Sequence, residues 1–167
     1  MSKVAEELLR ELADREAIRE RIYRYCRAVD RLDAPLGWSI FHEDATADYD
    51  MFKGTGREVI DQICERHLAF VGHSHQVTNI LIDLDGDKAG SEAYVTATLR
   101  LLRDGRLQQI TYWCRYLDQW SRRQGVWGID NRRVMFDLDE IRDVVEVRSR
   151  ERRGRDDPSY AVMRAPA

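Results

Sequence analysis

From His73 to Phe136 apolar and polar side chains alternate with a period of two, broken only by short turns, and this run most constrains what the chain can fold into. Such a period sends alternate side chains to opposite faces of a strand. His75, Val77, Asn79 and Leu81 share one side of the first segment, and Asp85-Gly86 then signals a hairpin. Ser91 to Leu102 turns at Asp104-Gly105, Leu107 to Trp120 turns at Gln124-Gly125, and Val126 to Phe136 closes the series. Each segment is rich in β-branched or aromatic residues, and each turn carries the glycine that tight hairpins favour. The pattern predicts an antiparallel meander whose strands are long enough to twist and curl.

Ahead of His73 the period is helical. Ser2 can cap a helix, and neither Gly nor Pro interrupts Val4 to Leu32, where a bend is expected near Asp14. Ile18, Ile22, Tyr25, Cys26 and Val29 form one apolar stripe, with Glu20, Arg24, Arg27 and Arg31 opposite. Ala34-Pro35 ends this helix. A short helix over Leu36 to Phe41, an acidic loop at Glu43 and Asp44, and a weak strand over Ala45 to Phe52 are expected next. Beyond Gly54 and Gly56, the residues Val59, Ile60, Ile63, Cys64 and Leu68 mark a second amphipathic helix.

Helices first and a meander afterwards predict an α+β fold, a cone-shaped roll in which a curled antiparallel sheet packs against N-terminal helices around an apolar pocket. Residues 1–145 make the domain. Residues 146–167 carry Arg148, Arg150, Arg152, Arg153 and Arg155, interrupted by Glu151, Asp156 and Asp157, and are expected as a charged, solvated, partly mobile tail.

A length of 167 residues suits one domain that builds its core without disulfide or metal support. The net charge of −3, with 34% charged and 43% hydrophobic residues, argues against a nucleic-acid-binding, membrane or disordered chain. Cys26, Cys64 and Cys114 are odd in number and contain no C-x-x-C, which fits a reducing compartment. With an acidic amphipathic start around Glu6 and Glu7, the expected location is cytoplasmic.

Asp30 falls in the last turn of the first helix, where a carboxylate faces the negative end of the helix dipole at a cost of roughly 0.3 to 1 kcal/mol. Its position at the border of the apolar stripe lets it point into the pocket, or else pair on the surface with Arg27 or Arg31. His75 is a satisfied core histidine unless a carboxylate partner fixes its tautomer and makes it a base. His73 and His75 form an H-x-H that His67 or Asp48 would have to complete as a metal site, but no tight ligand spacing backs it. The expectation is therefore no metal and no organic cofactor, with His73 solvent-exposed at the strand mouth. Tyr23, Tyr25, Tyr49 and Trp113 are candidate substrate-binding aromatics. Of the consecutive Arg132 and Arg133, a regular strand turns one inward, toward an anion or a carboxylate. An outward Trp113 or Trp120 would leave an apolar sheet face, so a homo-oligomer, trimer or dimer, is expected.

Three local patterns, in order, resemble the SnoaL-like families of the nuclear transport factor 2-like (cystatin-like) superfold, in particular the group of scytalone dehydratase and hexachlorocyclohexane dehydrochlorinase. They are IRERIYRYCRAVDRLD from Ile18 to Asp33, HSHQVTN from His73 to Asn79, and RYLDQWSRRQGVWGIDNRR from Arg115 to Arg133. The resemblance spans roughly Ala13 to Phe136 and implies that His75 is the base, that Asp30 orients it, and that pocket Tyr or Arg side chains stabilise a leaving group or an enolate. The chain departs from scytalone dehydratase in having no second His between Ser91 and Leu102. Tyr25, five residues before Asp30, resembles the bile-acid dehydratases more than the dehydrochlorinase. The implied function is a cofactor-independent lyase or isomerase of the dehydratase or dehydrochlorinase type acting on a small apolar substrate. The alternative is a non-catalytic ligand-binding protein or the small subunit of an aromatic-ring-hydroxylating dioxygenase.

Overall fold

Ser2 accepts a hydrogen bond from the Ala5 N–H and opens α1, Lys3–Arg31, a single helix that passes Asp14 without a break. The structure, a computed structural model, describes residues 2–145, 153–154 and 156–163. Ile18, Ile22, Tyr25, Cys26 and Val29 are buried along one face of α1, as their spacing predicts. Leu32 ends the helix in the left-handed conformation, and the Asp33 side chain caps α2, Ala34–Trp38.

β1, Phe41–Asp48, starts four residues before the expected strand, so Glu43 and Asp44 lie within it with exposed side chains. The reason is tertiary: β1 runs parallel to the last strand, with Phe41 opposite Ile129 and Ala47 opposite Arg132. β2, Lys53–Thr55, leads to α3, Gly56–His67, which opens on a capping box between Thr55 and Glu58. Gly56 is required by contact, because a Cβ there would lie 2.6 Å from the Phe41 ring.

Four long strands follow: β3, Gly72–Asp85; β4, Lys88–Arg103; β5, Arg106–Arg123; and β6, Val126–Asp143. Asp104-Gly105 and Gln124-Gly125 have positive φ at both positions, the geometry that matches the twist of a hairpin. The six strands make one sheet in the order β2-β1-β6-β5-β4-β3, and its concave side packs on α1 and α3.

The alternation in β3 does not run through. A bulge between Thr78 and Leu81, with Asn79 at φ 47, inserts a residue and reverses the faces. Ile82 is therefore buried while Leu81 is 66% exposed. Trp120 also corrects its expectation: it faces the core at 1% exposure and donates from its indole N–H to Ser91 Oγ.

Part of the expected tail is docked. Arg153 donates to the carbonyls of His67 and Phe70, the Gly154 N–H donates to Arg31 O, and Tyr160 in α4, Ser159–Val162, donates to Asp33. Arg148, Arg150, Glu151, Arg152 and Arg155 lie outside the described residues. Among the described residues no helix is long and apolar enough to cross a membrane.

Candidate functional site

The last turn of α1 brings Asp30 against the start of β3. Its Oδ1 accepts from His75 Nδ1 at 2.7 Å and its Oδ2 accepts from the His75 backbone N–H at 3.1 Å. Both side chains are mostly buried, at 14% and 8% exposure. A carboxylate only accepts, so Nδ1 carries the proton and Nε2 is left as the basic nitrogen. This is the arrangement in which Asp30 turns from Arg27 and Arg31 toward a histidine.

His75 borders a cavity of about 160 Å³ between the sheet and the helices. Its walls are largely apolar, with Val29, Phe52, Ile63, Leu99 and Val134 beside the tyrosines Tyr25, Tyr49, Tyr112 and Tyr116. At one wall the Tyr25 and Tyr49 hydroxyls are hydrogen-bonded to each other. Burial raises both above the ordinary tyrosine value, so they are neutral O–H groups.

Arg132 faces inward, as one of the two consecutive arginines must, but it is not a free anion receptor. It is fully buried, and its Nε and Nη2 donate to Asp118 at 2.7 Å each. Its guanidinium carbon lies 4.1 Å from the Tyr25 ring centre and 4.2 Å from that of Tyr116. Burial opposes this charge most, but Asp118 together with Tyr49 and Tyr25 outweighs it and holds the guanidinium well above its ordinary value. Arg132 thus packs against Tyr25 and Tyr116 and does not itself line the cavity.

Two other expected site residues lie elsewhere, and a third borders a different pocket that the Asp30–His75 pair shares. Arg133 is exposed on the opposite side of β6, and Trp113 is outward on β5 between Thr96 and Leu138. Tyr23 borders a second pocket of about 280 Å³, with Cys26, Arg27, Asp30, Arg31, His75 and Val77. The cation that does line the cavity is Arg66, over the Phe52 ring at 5.1 Å. Its sequence signal was slight: one Arg in the last turn of α3, beside His67.

His73 is 7% exposed rather than solvated at a strand mouth, and its Nε2 donates to the Val29 carbonyl at 3.1 Å. The ring of His67 stacks on that of His75 at 5.8 Å and 15°, and meets His73 at 4.6 Å. Burial first, then the two neighbouring imidazoles, push His67 down to about 2, so it is neutral. With His73 Nε2 on Val29 and His75 Nδ1 on Asp30, both members of the H-x-H are engaged by protein oxygens. Among the described residues no group of three His, Cys, Asp or Glu is placed to hold a metal ion. Burial pushes Cys26 and Cys114 up to about 12 and Cys64 up to about 11, so none is a ready nucleophile.

A hexachlorocyclohexane dehydrochlorinase, LinA-type3 from Novosphingobium barchaimii, superposes with a TM-score of 0.73 at 20% identity over 86% of this chain and 99% of that one. A candidate scytalone dehydratase from Novosphingobium aromaticivorans gives a TM-score of 0.69 at 21% identity, covering 87% and 95% of the two chains. A candidate aromatic ring hydroxylase from the same organism gives 0.68 at 26% identity, covering 80% and 95%. No curated protein sequence matches the chain. The model of the SnoaL-like domain matches residues 10–133, from α1 through the inward-facing Arg132, and the chain belongs to that family.

Proposed function

We propose that the chain is a cofactor-independent lyase or isomerase of the dehydratase or dehydrochlorinase type. The observation that carries this reading is the imidazole of His75, tied to Asp30 through Nδ1 at 2.7 Å while bordering an apolar cavity. Proton abstraction from carbon needs a positioned base of near-neutral strength in a dry pocket. His75 Nε2 takes the proton, the C–H electron pair forms the new double bond, and the leaving group departs with the electrons of its own bond. The Tyr25 and Tyr49 hydroxyls supply a proton or a hydrogen bond to that group, and Asp30 stabilises the imidazolium. In an isomerisation the imidazolium returns its proton to another carbon. A cavity of about 160 Å³ suits a small alicyclic, aromatic or polyketide-like substrate.

The test is a panel of hydroxylated and halogenated alicyclic compounds, read for release of water or halide and for double-bond migration. Activity in the wild type that disappears in His75→Ala supports the proposal, whereas wild-type turnover by His75→Ala overturns it. A stoichiometric transition metal found on His73 and His75 by elemental analysis would also overturn it.

The likeness to a candidate aromatic ring hydroxylase favours a second reading, a non-catalytic small subunit of a ring-hydroxylating dioxygenase. Co-purification with a large subunit would favour it. We further infer a cytoplasmic homo-oligomer that binds neither nucleic acid nor membrane: the three cysteines are free thiols, and Tyr94, Trp113 and Leu138 expose an apolar patch on the outer sheet face. Light scattering at low micromolar concentration is expected to give a mass above that of one chain.

A further inference from the structure

We propose that Arg66 is an anion subsite at the mouth of the cavity and that the substrate is an acid, its carboxylate held by Arg66 while its apolar body reaches His75. The inference rests on the reading of the cavity as the substrate site and names a chemical class for that substrate.

Among the described residues that line the cavity, Arg66 is the one Lys or Arg, and no Asp or Glu stands with it. A single charged group on an otherwise apolar wall is what fixes the orientation of a ligand. Tyr25, Val29, Tyr116 and Val134 are buried in the depth of the cavity, whereas Met51, Arg66 and Phe136 are exposed. The cavity therefore opens to solvent on the side of the guanidinium.

An arginine in the last turn of a helix has an ordinary structural use, which is to donate to the carbonyls left over at that end. At the end of α3 that use is already filled. The Leu68 and Ala69 N–H groups donate to the Glu65 and Arg66 carbonyls, and Arg153 donates to those of His67 and Phe70. Other arginines, such as Arg24, Arg115 and Arg123, meet carboxylates. Among the described residues the Arg66 guanidinium has no carboxylate, carbonyl or hydroxyl partner, and what it meets is the face of the Phe52 ring at 5.1 Å.

A ring face attracts the charge but supplies no lone pair, so the paired N–H donors remain for an acceptor. Their spacing matches the two oxygens of a carboxylate. The ring that seats Arg66 belongs to the wall that carries the two hydroxyls: Phe52 stacks on Tyr49 at 5.4 Å and 7°, and the Tyr49 hydroxyl is bonded to that of Tyr25. An acid lying along this wall spans from the guanidinium to the hydroxyls. The count of charges selects a carboxylate, because one guanidinium balances it fully but leaves a phosphate ester, with about −1.5 to −2 at neutral pH, partly unpaired.

The experiment is a binding measurement on the full chain at neutral pH with cyclohexanecarboxylate, cyclohexanecarboxamide and cyclohexyl phosphate. Calorimetry reads affinity, and the methyl NMR signals of Leu99 and Val134, which line the buried part, read placement. The wild type is expected to bind the acid about tenfold more tightly than the amide or the phosphate, the step that one charge-assisted hydrogen bond supplies, with both methyl groups shifted. Arg66→Gln is expected to erase the preference for the acid while leaving amide affinity as it was, and Arg66→Lys to keep part of it. Added salt is expected to shrink the preference, because Arg66 is exposed. A preference that survives in Arg66→Gln, equal affinity for acid and amide, a preference for the phosphate, or acid binding that leaves Leu99 and Val134 unmoved overturns the proposal, as does failure of all three probes to bind. The preference is expected to persist in His75→Ala. Failure of the subsite is thus read by probe binding and failure of His75 as the base by turnover of the substrate panel, and neither imitates the other.

Discussion

A carboxylate that fixes a tautomer and an imidazole that takes a proton act as one device. His75→Ala and Asp30→Asn are accordingly each expected to remove most of the activity, with the double variant little worse than the worse single one. Fully additive losses would mean that the two side chains act separately. His73 differs from its neighbour in kind: buried and bonded to Val29 O, it is structural, and His73→Ala is expected to cost about 1 to 3 kcal/mol of stability by urea denaturation. Asp118 is more demanding still. Asp118→Ala strands a fully buried guanidinium and is expected to cost about 3 to 5 kcal/mol, with the seating of Tyr25 lost alongside. The contact between Asp30 and His75 was legible only through the family pattern, because helical spacing left Asp30 open between pocket and surface and strand alternation alone left His75 a core histidine. The Asp118–Arg132 clasp was not, because spacing tells only that one of two arginines points inward and not which acid waits there.

At the scale of elements, local chemistry and tertiary pairing divide what the sequence reveals. The hairpins at Asp104-Gly105 and Gln124-Gly125, the capping box at Thr55 and the apolar stripe of α1 are local, and each was readable. β1 gained its first residues by pairing with β6, a strand some eighty residues away, which no local window contains. The bulge at Asn79 lies between these cases. An asparagine tolerates φ 47, but the alternation on either side reads as one unbroken strand, so the reversal of faces is invisible until the pairing with β4 is known. The consequence can be measured. Asn79→Val is expected to cost about 1 to 2 kcal/mol through the left-handed backbone, while Asn79→Gly stays close to wild type. Leu81→Ser is expected to be nearly neutral, and Ile82→Ser severe, in the same denaturation assay; equal effects would contradict the reversed register.

For the whole molecule, the site's own burial sets how stability responds to acid. His67 is held down to about 2 inside the fold by burial and by His73 and His75, whereas in the unfolded chain it titrates near about 6.5. A group whose folded value is depressed gives its full support above the unfolded value and loses it as the pH falls. Here the unfolded chain takes up a proton below about pH 6.5 that the folded chain refuses. Stability must therefore decline with acid by about 1.4 kcal/mol per pH unit once the unfolded histidine is mostly protonated, or about 2 kcal/mol between pH 7 and pH 5. The carboxyl groups held low in the fold, such as Glu58 in its capping box and Asp137 beside Arg115, contribute their own losses only at lower pH, near and below the ordinary carboxylate range. The interval from pH 7 to pH 5 thus belongs to histidine, and a comparison with His67→Phe isolates this one: the ring still stacks on His75 but takes no proton. Urea unfolding of the two proteins across that interval is expected to show the wild type losing about 2 kcal/mol more than the variant. Parallel curves would mean that His67 protonates in place, and that the wall beside His75 is wetter and more charged than a cavity for proton abstraction from carbon allows.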